Sequence, residues 1–192
     1  MEFSNRRVLY YLLGFFCVAL LLKVVTIYKF EHLQMASLMM NKNTVSVTTM
    51  KKELDCMAIN IYREAGYEPL EGRIAVAQVT MNRASHPDFP NTICGVVYQK
   101  SVVMQRVVCQ FSWYCDSVHM NRPINPVVYQ ESYEVAKKVY LEKFRLDSLK
   151  DALYYHANYV QPRWKLEKIT QIGNHIFYKQ KGGDHAKLAG IQ

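Results

Sequence analysis

The sequence predicts an α+β domain, mostly helical with a small C-terminal antiparallel sheet, preceded by one N-terminal transmembrane helix. Three observations predict it. An unbroken apolar run follows Arg6-Arg7 near the start of the chain. Apolar stripes at helical spacing, bounded by Gly, Pro and Asn, fill the middle. Two short β-rich runs flank the turn dipeptide Gly173-Asn174 near the end.

The apolar run covers residues 8–28, interrupted once by Lys23, and is long enough to cross a bilayer as a helix. It also has the basic start and apolar centre of a signal peptide, but no small-x-small cleavage site follows, which favours an uncleaved anchor. The preceding arginines point to a cytoplasmic N-terminus and an exported remainder, against the pull of Lys23 and Lys29. A buried core helix is the competing reading, and it fits an N-terminal, all-round apolar segment less well. Residues 29–50 show no stable period and read as a linker. The folded domain is expected over residues 51–179, and residues 180–192 as a flexible tail with Gly182-Gly183.

Within the domain, Leu54, Met57, Ala58, Ile61 and Ala65 share one helical face, and Gly66 ends that helix. Pro69 suits the start of a second helix, striped by Ile74, Ala77 and Met81. The prolines around Asp88 mark a loop, and residues 92–98 read as a short helix capped by Asn91 or Thr92. Val102-Val103 and Val107-Val108 are strand-like. Asn125-Pro126 starts a third long helix, with Tyr129, Tyr133, Ala136, Val139 and Tyr140 on one face, expected to run to about Phe144. Residues 152–156, 169–172 and 175–178 are the strand candidates.

The 192 residues allow one domain plus a targeting segment. Half are hydrophobic, so a packed core is expected. The formal charge of +8 suits nucleic acid, anionic lipid or acidic wall polymers, and charge alone does not choose among them. Cys17 lies in the apolar run. In an oxidising compartment Cys56, Cys94, Cys109 and Cys115 allow two bridges in three pairings. The closeness of Cys109 to Cys115 makes that small loop the first choice, leaving Cys56 for Cys94. No CxxC or paired-His spacing supports zinc.

Three stretches carry candidate chemistry. In the first, Glu64 falls at the end of a helix among Ile61, Tyr62 and Tyr67. Lost hydration and the negative helix end would both raise its pKa, as a glycosidic acid requires. Glu68 and Glu71 lie around the start of the next helix, where negative charge is favourable whatever the function. In the second, Gln110, Ser112 and Trp113 set amide and hydroxyl groups beside flat rings, a surface suited to sugars. Phe111 reads as core, and for Trp113 core and sugar platform weigh equally. In the third, Tyr154, Tyr155 and His156 lie on a strand, with Trp164 and His175 beyond. Alternation puts Tyr154 and His156 on one face and Tyr155 on the other, one toward the core and one toward a cleft. His156 and His175 with Glu64 would make a zinc set, but a His in a strand is more often hydrogen-bonded structure.

Together these stretches resemble the cell-wall hydrolase family that includes the catalytic domains of spore cortex-lytic enzymes. The resemblance rests on Tyr62-Arg63-Glu64-Ala65, Glu68-Pro69-Leu70-Glu71-Gly72, Asn82-Arg83, Pro90-Asn91-Thr92, Val96-Val97-Tyr98-Gln99 and Cys109-Gln110-Phe111-Ser112-Trp113. Cys115-Asp116, Tyr155-His156-Ala157, Trp164 and Ile172-Gly173-Asn174-His175-Ile176-Phe177 complete it. It covers residues 54–178. The family pattern has Arg-Gly where this chain has Gly66-Tyr67, so the glycine stands one position earlier. The resemblance implies a lysozyme-like domain acting on peptidoglycan glycan strands, with Glu64 as the catalytic glutamate. It further implies lytic transglycosylase chemistry between N-acetylmuramic acid and N-acetylglucosamine, with no cofactor or metal.

Other classes remain in view. A hydrolytic muramidase would add a second carboxylate, for which Glu68 and Asp116 are the candidates. A zinc amidase would depend on metal, and a wall-binding module would not need Glu64. A nucleic-acid partner is not expected, because export argues against it and no such motif is present. The membrane is the expected second partner, through the N-terminal helix. Oligomeric state is not legible.

Overall fold

The structure, a computed structural model, describes residues 2–181. The Gly182-Gly183 part of the expected tail lies outside them. The first helix, α1, is Glu2–Ala65. The chain divides into two compact units, Met1–Thr49 and Met50–Gln192.

The first unit is helical wherever it is described, and its large apolar side chains, such as Leu9, Phe15, Leu21, Ile27 and Met39, are exposed. By length and composition its helix suffices to cross a bilayer. Residues 29–50, read as a linker without a stable period, are helical. The physical reason is plain in the sequence: no Gly or Pro occurs between Gly14 and Gly66, so nothing breaks the hydrogen-bond ladder. A missing apolar period removes a packing face and does not end a helix.

The second unit holds every buried residue among those described, from Glu53 onward, together with both disulfides, so it carries its own core. The last turns of α1 bury Leu54, Met57, Ala58, Ile61 and Ala65, the face expected from their spacing. Against them pack α2 (Leu70–Ala84), through Ile74, Ala77 and Val79, and the short α3 (Ile93–Val97). Thr92 caps α3 by accepting from the Gly95 N–H at 3.0 Å. The buried Glu53 carboxylate accepts from the N–H groups of Ile93 and Cys94, so a second acidic group satisfies the same helix start.

A two-stranded hairpin follows, β1 (Lys100–Val103) with β2 (Arg106–Cys109). Its tight turn places Met104 and Gln105 at φ 48° and 64°, the left-handed pair that twists with the strands. Next come α4 (Ser112–Cys115) and α5 (Ser117–Asn121). The third long helix, α6 (Pro126–Tyr140), starts as expected, with the Asn125 side chain accepting from Val127 and Val128. It stops short of Phe144. Lys143 turns to φ 59° and the Phe144 N–H returns to the Lys138 carbonyl at 3.1 Å, which closes the end without another helical turn.

The C-terminal sheet is antiparallel, in the order β3 (Tyr154–Ala157), β5 (His175–Lys179), β4 (Glu167–Ile172). Its register pairs Tyr155 with Phe177 and Ala157 with His175. Gly173, at φ 57°, makes the β4–β5 turn, and a side chain there would collide with the Glu68 carboxylate. The architecture is therefore the predicted α+β one: a helical body with a small C-terminal antiparallel sheet. The disulfides join Cys109 to Cys115 and Cys56 to Cys94.

Candidate active site

Glu64 occupies the last turn of α1, one residue before the helix ends at Ala65. Its carboxyl is largely buried and forms part of the lining of a cleft of about 710 Å³. The Tyr155 hydroxyl, from the central part of β3, lies 3.1 Å from Glu64 Oε2 and donates to it. Burial pushes the Glu64 carboxyl up to about 7; the Tyr155 hydroxyl and the Arg83 charge pull the other way. Burial is thus the dominant cause, and the helix-end argument is not needed to explain a carboxyl that holds its proton near neutrality. Tyr155 itself is held well above the ordinary phenol range, first by burial and then by the Glu64 charge.

The cleft wall opposite β3 is built from the α4 region. Ser112 and Trp113 line it, and Trp113 serves both readings given to it: it is buried in the core cluster and still shows an edge to the cleft. Its indole N–H donates to Asn60 Oδ1 at 3.0 Å, and Asn60 Nδ2 donates to Thr80 Oγ1 at 3.3 Å. A buried amide on α1 thereby fixes the ring. The Cys109–Cys115 bridge closes the chain segment on either side of it. Phe111 is fully buried core and Gln110 is half-buried outside the cleft lining.

The alternation along β3 holds, with Tyr154 and His156 both meeting Trp164 and Tyr155 facing Glu64, but the expected split into one core face and one cleft face does not, since Tyr155 and His156 both line the cleft. Tyr155 meets Glu64, while Tyr154 lies outside the cleft, buried against Phe89 and Trp164 at ring distances of 6.2 and 6.3 Å. His156 does line the cleft, yet both its nitrogens are engaged. Nδ1 donates to the Ala157 carbonyl at 2.8 Å, and Nε2 pairs with the Tyr178 hydroxyl at 2.9 Å. Trp164 packs edge-on to His156 at 5.4 Å and completes that wall. His175 stands edge-on to Tyr155 at 5.1 Å, and its buried Nδ1 has no partner. Burial lowers its pKa, with His156 acting in the same direction and Glu68 against it.

Neither further carboxylate candidate is free. Glu68 accepts from the Asn174 backbone N–H at 3.0 Å and from its side chain at 2.8 Å, tying α2's entry to the β4–β5 turn. Asp116 caps α5 through Val118 and His119 and pairs with the His119 ring at 2.6 Å; that side-chain bond holds its carboxyl below the usual range. A second cavity, of about 450 Å³, also reaches Glu64 and includes Glu68, Arg122 and Asn174 in its lining. Among the described residues no three His, Cys, Asp or Glu side chains form a metal-binding group.

Several residues at the site are not among those the sequence assigns to it. Arg63 lines the cleft and donates to the carbonyls of Met120 and Arg122 at 3.1 Å, which seats the α5 exit beside the end of α1. The loop after β3 supplies Tyr159, Val160, Pro162 and Arg163 to the cleft. Beneath Tyr155 lies Arg83, wholly inaccessible to solvent, with Nε donating to the Leu153 carbonyl at 2.7 Å. Adjacency to Glu64 would have been the signal for Arg63, and Asn82-Arg83 is one of the pairs that carry the resemblance.

A family model described as Cell Wall Hydrolase matches residues 67–178, a stretch that begins just past Glu64. The spore cortex-lytic enzyme of Bacillus cereus is 30% identical over 133 residues, which cover 67% of this chain and 45% of that enzyme. That of Bacillus subtilis is 29% identical over 129 residues, covering 65% and 37%. The chain thus spans less than half the length of these relatives. Among solved structures, the catalytic domain of the Bacillus cereus SleB protein aligns at a TM-score of 0.49 with 26% identity, over 67% of this chain and 91% of that one. The catalytic domain of the Bacillus anthracis germination-specific lytic transglycosylase SleB aligns at 0.49 with 25% identity, over 66% and 93%.

Proposed function

The chain belongs to the cell wall hydrolase family, and from that premise we propose that it cleaves peptidoglycan glycan strands between N-acetylmuramic acid and N-acetylglucosamine as a lytic transglycosylase, with Glu64 as acid and base. The observation that carries this reading is a single proton-holding carboxyl at the cleft, beside Tyr155, while Glu68 and Asp116 are committed to structural hydrogen bonds. In the first step protonated Glu64 gives its proton to the glycosidic oxygen as the bond to C1 breaks. In the second, the Glu64 carboxylate takes the proton of the muramic C6 hydroxyl while its oxygen bonds to C1. The product is a 1,6-anhydro end, and Glu64 is protonated again. No water is consumed and no second carboxylate is required, which suits a site where neither further carboxylate is free. Glycosidic hydrolysis, by contrast, ordinarily employs a pair.

Trp113, Ser112, His156, Trp164 and His175 are the residues we assign to holding the sugars, on the basis of their places in the cleft lining. Gln110 and Tyr154 drop out of that set because they lie outside it. The relatives are named for lysis of the spore cortex, and we extend a wall substrate to this chain. We further assign residues 1–28 to a membrane anchor that holds the enzymatic unit outside the cytoplasm, on the strength of one long apolar helix. The test is digestion of purified peptidoglycan by the wild type and by Glu64→Gln, with mass spectrometry of the soluble products. Muropeptides one water lighter than reducing-end species, absent with the variant, are expected. Reducing-end products would overturn transglycosylation, and lysis that survives the variant would overturn Glu64.

A further inference from the structure

The residue left unexplained by this chemistry is Arg83. It sits in the last turns of α2 with no solvent exposure and a single side-chain hydrogen bond, from Nε to Leu153. Its Nη1 and Nη2 have no partner. In their place three rings surround the guanidinium, Phe111 at 5.2 Å, Phe89 at 5.6 Å and Tyr155 at 5.8 Å from its central carbon. Ring faces offset part of the cost of burying a cation, and they do so best away from water. They do not account for the charge being there. A buried ionic group can commonly be replaced by an apolar side chain of similar volume at little or no loss of stability.

What the charge faces is informative. Arg83 lies under the Tyr155 ring, and the Tyr155 hydroxyl is the group that touches Glu64 at 3.1 Å. The other titratable and charged groups around Glu64 are turned elsewhere: in the second cavity Glu68, at the entry to α2, is bound to Asn174, and Arg122, after α5, is exposed. Arg63, its neighbour on α1, is spent on the Met120 and Arg122 carbonyls. His156 on β3 is held by the Ala157 carbonyl and the Tyr178 hydroxyl, and His175 on β5 is lowered by burial. From the α5 side, Asp116 is engaged by the His119 ring at 2.6 Å and by the Val118 and His119 N–H groups. Arg163 is exposed at the cleft edge, where solvent screens it. Arg83 is thus the one fixed cation, among the described residues at this site, that is both buried and free of a carboxylate partner of its own.

We propose that Arg83 is a positioning residue for Glu64: the buried cation on which the Tyr155 ring rests, placed to favour the carboxylate that remains after the proton has left. The inference rests on Glu64 being the acid. A carboxyl buried only among apolar groups keeps its proton too well, and a cation beneath it restores the ability to give that proton up. Arg83 touches no substrate in this reading. Its effect passes through the low-dielectric interior, where a charge acts further than it would at the surface.

The test is the pH dependence of kcat/KM on peptidoglycan, from about pH 5 to about pH 9, for the full-length chain in detergent and for Arg83→Met, Arg83→Gln and Arg83→Lys. Activity needs protonated Glu64, so it falls through an alkaline limb. The neutral variants are expected to move that limb upward by about one pH unit and to lower kcat more than they raise KM. Arg83→Lys, which keeps the charge, is expected to hold the limb near its wild-type place. A limb unmoved in a folded neutral variant, or moved equally by Arg83→Lys, overturns the proposal. Neutral variants that fail to fold while Arg83→Lys folds would assign the charge to stability and overturn it too. Lysis surviving Glu64→Gln sinks the acid itself, whereas an unmoved limb with Glu64→Gln inactive sinks only the role of Arg83.

Discussion

Replacing Glu64 by Gln is expected to remove lysis and, at alkaline pH, to make the protein more stable. Burial raises this carboxyl from 4.5 to about 7 in the folded state, whereas the unfolded chain titrates at the ordinary value. Between those two values the folded state binds more protons than the unfolded state, so stability falls as pH rises through the window. Below it both states are protonated and Glu64 costs nothing; above it both are ionised and the whole cost is present. A gap of roughly 2.5 units at about 1.4 kcal/mol per unit gives a cost of about 3 kcal/mol. Gln stays neutral throughout, keeps the shape, and its carbonyl can still accept from the Tyr155 hydroxyl. For a domain of this size about 3 kcal/mol corresponds to roughly 9 °C in Tm. The assay is thermal unfolding followed by circular dichroism at a series of pH values, with disulfides intact. The variant's advantage should be about 9 °C greater near pH 8 than near pH 4. An advantage independent of pH, or one that grows as pH falls, would refute the argument that burial sets the state of Glu64.

Two further outcomes follow from the supporting groups. Asn60→Ala leaves the Trp113 indole N–H without its acceptor and should cost about 1–3 kcal/mol in denaturant unfolding, with lysis reduced because the Trp113 wall loosens. Full stability in that variant would mean the hydrogen bond is not what fixes the ring. Glu68→Ala removes both bonds to Asn174 and should cost about 1 kcal/mol, while lysis of peptidoglycan persists; loss of lysis in a fully folded Glu68→Ala protein would reinstate a second catalytic carboxylate.

Much of the helical frame was legible because its signals are local. Asn125-Pro126 names a helix start whatever surrounds it, and Thr92 caps α3 from the position its side chain requires. Gly173-Asn174 likewise declares a reversal that only left-handed backbone can make, and the structure turns there. Two features were less legible. Residues 29–50 carry no packing period yet continue the helix, because continuation needs only the lack of a breaker. At β3 the period-2 rule separated Tyr154 from Tyr155 correctly but left open which side meets the cleft. The Glu64–Tyr155 contact spans 91 positions, and no local signal reports a pairing made by tertiary packing. Arg83 was missed for a related reason: a charged residue in a helical stripe reads as surface, and only the completed core reveals that three aromatic rings enclose it.

These buried groups also explain why the disulfides stand where they do. A carboxyl that costs about 3 kcal/mol above neutrality is a large charge on a domain whose total stability is of the order of 10 kcal/mol. The Cys56–Cys94 link closes a span of 38 residues and the Cys109–Cys115 link one of 6. On chain entropy those loops are worth about 4 and about 2 kcal/mol, enough to offset Glu64. Their placement matters as much as their size. Cys56 ties the α1 turns that carry Asn60 and Glu64 to α3, and the smaller bridge brackets Ser112 and Trp113. The smaller bridge therefore braces the Ser112–Trp113 side of the cleft directly, and the larger one holds α1 two turns before Glu64. Disulfides persist in oxidising compartments, and that is where the proposed N-terminal anchor would hold this unit.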